Sequence, residues 1–167
     1  MTNQVVSRGF RTPPPRLLQT AWRRVISTPD DRVAAFLRMV LAGIILPHGA
    51  QKVLGWFGGY GLAGTMGFFT KDMGIPAVFA ALAISAEFLG PLLLLAGLCT
   101  RVAALGIGCV MAVAVAMVHA PNGFFMNWFG NQKGEGFEYH LLVLGIAAAL
   151  VIRGGGAFSL DRRMARG

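Results

Sequence analysis

The chain has 167 residues, 55% of them hydrophobic and only 13% charged, with a formal net charge of +8. The apolar residues lie in long runs, which excludes a soluble globular domain and places the chain among polytopic membrane proteins. The positive charge argues against nucleic acid as a partner, because the arginines flank the apolar runs instead of lining one face.

Residues 1–15 close on Pro13-Pro14-Pro15 and read as disordered. Leu17, Leu18, Ala21, Trp22, Val25 and Ile26 then recur at helical spacing beside Arg16, Arg23 and Arg24, the pattern of an amphipathic interfacial helix. In Thr28-Pro29-Asp30-Asp31, Thr28 reads as the N-cap, Pro29 as the first helical residue and Asp31 as the capping-box acid. Four spans follow: Val33–Lys52, Ile75–Leu98, Val102–His119 and Tyr139–Ile152. About twenty apolar residues suffice to cross a bilayer as a helix, so one small bundle uses the whole length. Glycines 55, 58, 59, 61, 64, 67 and 74 mark the first loop as a turn and a short surface helix. The loop between spans three and four opens on the turn Ala120-Pro121-Asn122-Gly123. Phe124, Phe125, Trp128 and Phe129 read there as a second helical stripe, and with Trp56, Phe57 and Tyr60 they form an outer aromatic belt. Gly154-Gly155-Gly156 ends the last span before a basic tail.

Eleven arginines (8, 11, 16, 23, 24, 32, 101, 153, 162, 163 and 166) fall on the side of the two termini, against Lys52, Lys71 and Lys133 on the other. The positive-inside rule then makes both termini cytoplasmic. The arginines before the first span imitate a signal peptide, but no small-residue cleavage site follows, so that span is expected to be retained. Cys99 and Cys109 form no C-x-x-C pair and read as buried thiols. No metal or nucleotide motif is present, and no haem, iron–sulfur or flavin signature.

The chemistry-bearing candidates lie inside the spans. Glu87 is the single ionisable residue between Ile75 and Leu98. A carboxyl at mid-membrane is costly and is a functional suspect by default. Pro91 removes the helical donor of the Glu87 carbonyl, so an acid and a freed acceptor fall at one depth. Span one carries Arg38, His48 and Lys52 within a sector of about 80°, expected to face the interior. At 1.5 Å per residue, Arg38 lies roughly 8 Å above the cytoplasmic edge, Glu87 roughly 16 Å and His48 roughly 22 Å. Side chains lean toward their helix N-terminus, so His48 and Glu87 lean toward each other and Arg38 leans away. His48 is therefore the preferred partner of Glu87, with Arg38 supplying charge balance. His119, Asn122, Glu138 and His140 cluster at the outer ends, with Glu138 favoured by a helix dipole. An acid beside a histidine under an aromatic rim suits a quinone headgroup or a proton-coupled substrate. It equally suits a structural hydrogen bond between two helices, or a small-solute permease.

Leu37-Arg38, Pro47-His48-Gly49-Ala50-Gln51-Lys52, Gly55-Trp56-Phe57-Gly58-Gly59-Tyr60-Gly61 and Gly74-Ile75-Pro76 form an ordered set of motifs. It continues through Glu87-Phe88-Leu89-Gly90, Gly97-Leu98-Cys99-Thr100-Arg101, His119, Asn122-Gly123-Phe124-Phe125, Glu138-Tyr139 and Phe158-Ser159-Leu160-Asp161. Over residues 33–163 this resembles DoxX, small four-span bacterial inner-membrane proteins related to the DoxD subunit of thiosulfate:quinone oxidoreductase. The resemblance implies a membrane subunit linked to sulfur or quinone redox chemistry, with electrons supplied by a separate partner protein.

The expected architecture is an all-α integral membrane protein, a four-transmembrane-helix bundle with short interfacial helices. Residues 1–32 form a cytoplasmic segment, 33–153 the membrane domain and 154–167 a basic cytoplasmic tail. If the chain takes part in catalysis, it does so as an accessory subunit of an oxidoreductase that uses quinone. Glu87 and His48 handle protons, while Arg38, Lys52, Trp56, His119, Asn122 and Glu138 are binding candidates. No covalent cofactor and no metal are expected. The expected partners are the lipid bilayer, a redox protein and a second copy of the chain.

Overall fold

The computed structural model describes residues 16–166 and is helical throughout its regular elements. The expected disorder of residues 1–15 lies outside the described residues. Helix α1 spans Arg16–Ile26 and α2 spans Arg32–Leu54. After a turn at Trp56–Gly58 comes α3, Gly61–Gly67, which widens into a π-helical turn at Phe68–Asp72. Helix α4 spans Ala77–Ala96, and α5 spans Thr100–Ala114, running on through a π-helical turn at Val115–His119 to Asn122. Helix α6 spans Glu138–Arg153 and α7 spans Leu160–Arg166. Helices Arg32–Leu54, Ala77–Ala96 and Thr100–Asn122 are long and apolar enough to cross a bilayer, as expected of a multi-pass membrane protein. Helix α6 has 16 residues, which at 1.5 Å each makes it about 24 Å long.

The four longest helices pack in a ring: α2 on α4, α4 on α5, α5 on α6, and α6 back on α2. Leu41, Ile45, Leu94, Ile107, Val143 and Leu150 fill the centre. Outside the ring Phe36, Val78, Leu105 and Leu142 stay exposed, which in this sequence is the lipid face. The starts of α2 and α5 and the ends of α4 and α6 meet at one end, here the termini end; the other is the loop end.

The termini end is a lattice of charged fasteners. Arg101 donates to the Val151 carbonyl, to Ile152 O at 2.6 Å and to Ser27 O at 2.9 Å. Asp161, buried, accepts from the backbone N–H of Cys99 at 2.7 Å and Thr100 at 2.9 Å, which caps α5 from another part of the chain. Arg162 pairs with Asp30 at 2.5 Å. Residues 154–157 are buried and α7 folds back on α1, so the segment expected as a basic tail is part of the packed end. The N-cap of α2 is Asp31, not Thr28: its Oδ1 accepts from Val33 N at 2.9 Å and Ala34 N at 3.1 Å. Thr28 instead accepts from Gly156 N at 2.8 Å and donates to Arg153 O at 3.2 Å. Its side chain is committed to a distant strand of chain, which four residues of local sequence do not display.

Asp31 also receives Arg153 through Nε at 3.0 Å and Nη2 at 2.6 Å. The Ala34 N–H, and then the Arg153 guanidinium, hold its carboxyl below the usual carboxylate range. A depressed carboxylate stabilises the fold above its unfolded pKa, about 4, and that contribution disappears as pH falls through the folded value. Asp31→Ala is therefore expected to lower the thermal midpoint at neutral pH, with the gap to wild type closing in acid. A gap independent of pH would show that the carboxylate charge is not what matters.

Candidate functional site

The polar residues inside the ring divide into two groups. Arg38 belongs to the termini end. It is 3% exposed and donates from Nη1 to Leu94 O at 2.6 Å and Leu95 O at 3.0 Å. Its Nη2 reaches Ala157 O and Phe158 O, each at 3.5 Å. The guanidinium thus clasps the last carbonyls of α4: Leu95 O, and Leu94 O, which also accepts from Gly97 N at 3.1 Å. The expectation that Arg38 balances Glu87 is corrected: the lean toward the helix N-terminus carries it away from Glu87.

The second group surrounds Glu87, midway along α4 and 5% exposed. Its partner is Lys52, whose ammonium sits directly on Oε2. This corrects the preference for His48. Lys52 starts one turn closer to the loop end than His48, and its four-carbon stem reaches back along α2 to the acid. The Lys52 side chain keeps 24% of its exposure, so the pair lies in the wall of the bundle and not in its sealed centre. Close approach of α2 and α4 makes this geometry available. At Gly49 a Cβ would overlap the carbonyl group of Glu87, the same carbonyl that Pro91 leaves without a helical donor.

One side of the pair opens on a groove of about 920 Å³ between α4 and α5. Leu82, Ala86, Leu89 and Leu93 of α4 form one wall, and Val102, Gly106, Val110 and Val113 of α5 the other. Phe68, Phe69 and Met73 close its loop end. Lys52 and Glu87 supply the charge in an otherwise apolar lining, with Ser85 and Cys109 nearby. Cys109 is exposed there, against the expectation of a buried thiol, and neither cysteine is bridged. The volume is that of a ligand pocket, for which about 300–1,000 Å³ is usual.

On its other side the pair faces rings from α2, α5 and α6. His48 is exposed, one turn before Lys52 and next to Gly49, which packs on the Glu87 backbone. Its ring centroid is 6.5 Å from that of Tyr139, which is 5.4 Å from His140. His140 is 7% exposed and its ring lies 4.0 Å from His119. The Tyr139 hydroxyl and His140 Nδ1 are buried and have no hydrogen-bond partner. The sequence marks His119 and His140 as outer-end residues; Tyr139 enters it only as the start of the last span and in the Glu138-Tyr139 motif, not as a site candidate.

The remaining expected binding residues build the loop end. Asn122 Nδ2 donates to Val118 O and Glu135 O, each at 3.2 Å. Glu138 Oε1 accepts from Met126 N and Trp128 Nε1, each at 3.1 Å. Residues 123–137 form turns, not the second helix that the aromatic spacing predicts, because these bonds tie the loop to the top of α6. Trp56 is exposed beside Phe57 and lies off the groove. No group of three metal-ligating side chains occurs among the described residues.

A family model described as DoxX matches residues 33–120, more than half of the chain. The matched region holds Arg38, His48, Lys52, Glu87 and His119, and ends before α6, short of the 33–163 over which the resemblance is read. No curated protein and no solved structure matches the chain.

Proposed function

The chain belongs to the DoxX family, and from that premise we propose that it is a membrane subunit of a quinone-linked redox system. In this reading it spans a bacterial inner membrane four times with both termini in the cytoplasm. A separate partner protein supplies the electrons. The observation that carries the proposal is the Lys52–Glu87 pair set in the wall of an apolar, laterally open groove. A quinone offers the matching chemistry: an apolar ring and tail for the groove, and carbonyl oxygens for an ammonium. Lys52 orients the headgroup by donating to a carbonyl oxygen, and Glu87 delivers or receives the proton that accompanies reduction or oxidation.

The test is Glu87→Gln, isosteric and unable to hold a proton for transfer. In lipid nanodiscs, its affinity for a short-tailed benzoquinone is expected to fall about tenfold, the worth of one charge-assisted hydrogen bond network. Unchanged affinity in a variant with wild-type thermal midpoint would sink the redox reading. A scaffold reading has its own support, because Arg38, Arg101 and Asp161 show this chain using charges as helix fasteners. Under it, Glu87→Gln lowers the thermal midpoint and leaves quinone affinity unmoved.

A further inference from the structure

We propose that His119, His140, Tyr139 and His48 form a proton route joining the loop end of the bundle to the Glu87 carboxylate. The inference deepens the reading of Glu87 as the acid of the groove and rests on it for its purpose, though not for its test.

The route begins at His119, half-buried at the end of α5. Its Nδ1 lies 2.8 Å from the Glu135 carbonyl oxygen, which can only accept. Nδ1 therefore carries the hydrogen, and Nε2 is the nitrogen left to take a proton. The His140 ring is 4.0 Å away, with Nδ1 buried and unpartnered. Buried polar atoms are almost always hydrogen-bonded, and an orphan calls for a specific explanation. The Tyr139 hydroxyl is a second orphan in the same cluster. His48 lies 6.5 Å from Tyr139 between ring centroids and adjoins Gly49, which packs on the Glu87 backbone.

The other titratable groups of the neighbourhood are committed elsewhere. Glu138 holds Met126 and Trp128, Glu135 holds the Asn127 N–H at 2.8 Å, and Lys52 is on Glu87. The relay members are thus the side chains with an atom to spare. Ring centroids 4.0–6.5 Å apart are separations that direct contact or one bridging water spans. A neutral imidazole accepts at one nitrogen and releases from the other, and a phenol hydroxyl does the same at one oxygen. One proton leaves water at the loop end and one arrives on a Glu87 oxygen: His119, its Nδ1–H held by Glu135 O, takes up and passes on the proton through Nε2, while His140 and His48 each end as the opposite tautomer, which ring rotation resets.

The experiment follows the Glu87 carboxyl band by infrared difference spectroscopy after a rapid drop of bulk pH, with the protein in nanodiscs and no quinone present. Loss of the band in Glu87→Gln assigns it. Tyr139→Phe removes one oxygen and keeps the ring, and His140→Leu removes the relay imidazole. Each is expected to slow the appearance of the band about tenfold or more while leaving its final amplitude unchanged. Wild-type rates in both variants, or no Glu87 band at any pH, would overturn the route. If His140→Leu unfolds, Tyr139→Phe alone decides. Quinone affinity is measured separately, so either proposal can fail while the other stands.

Discussion

Arg38→Leu is expected to lower the unfolding free energy by about 3 kcal/mol or more, the largest loss from any single side chain at the termini end. The guanidinium has no carboxylate in contact; four carbonyl oxygens hold it, from Leu94, Leu95, Ala157 and Phe158. Those of Leu94 and Leu95 close α4, where the helix dipole is negative and a cation is favoured. Leu94 O keeps the Gly97 N–H at 3.1 Å, but leucine leaves Leu95 O without the donor that Arg38 gives it, and such an orphan costs about 1–3 kcal/mol. Arg38→Lys should recover part of the loss, since it keeps the charge and gives up the planar fork. Denaturation in detergent, read by circular dichroism, measures both. A leucine variant as stable as wild type would show that α7 and the glycine turn hold this end without Arg38. Quinone affinity should change little in Arg38→Lys, because the clasp and the groove acid lie at different depths.

Helix positions were legible because each run of apolar residues is long and the glycines and prolines between them punctuate cleanly. Asp161 and Arg101 were legible as charges but not as fasteners, because their partners are N–H groups and carbonyls fifty or more residues away. Directional reasoning leaned Arg38 away from Glu87, yet the charge-balance role given to Arg38 and the choice of His48 both missed Lys52. His48 matches Glu87 in depth at the backbone, but a lysine stem covers a full turn, and the ammonium goes where a carboxylate lies without another partner. The groove was not legible at all. It arises where α4 and α5 diverge from the short Gly97–Cys99 connection, and an apolar residue facing it looks the same in sequence as one facing lipid.

Gly49→Ala is expected to disturb both stability and the site, while Gly43→Ala disturbs neither. Both glycines lie in α2, where alanine is intrinsically favoured over glycine by about 1 kcal/mol. Nothing stands within 4 Å of a Cβ at Gly43, so that gain should appear as a higher thermal midpoint. At Gly49 the added methyl meets the Glu87 carbonyl and the Phe88 Cα, which are backbone and cannot rotate aside. Helices α2 and α4 must separate, at a cost of about 1–3 kcal/mol for overpacking. Lys52 is three residues from Gly49 and Glu87 is the residue struck, so the same separation pulls the ion pair apart. The variant should therefore weaken quinone binding in the direction of Glu87→Gln without touching either charge. Thermal midpoints of the two glycine variants, with quinone titrations alongside, decide it. Equal midpoints for Gly43→Ala and Gly49→Ala would mean that the helices do not approach at Glu87. The freed carbonyl of the Pro91 turn would then have no part in positioning the acid.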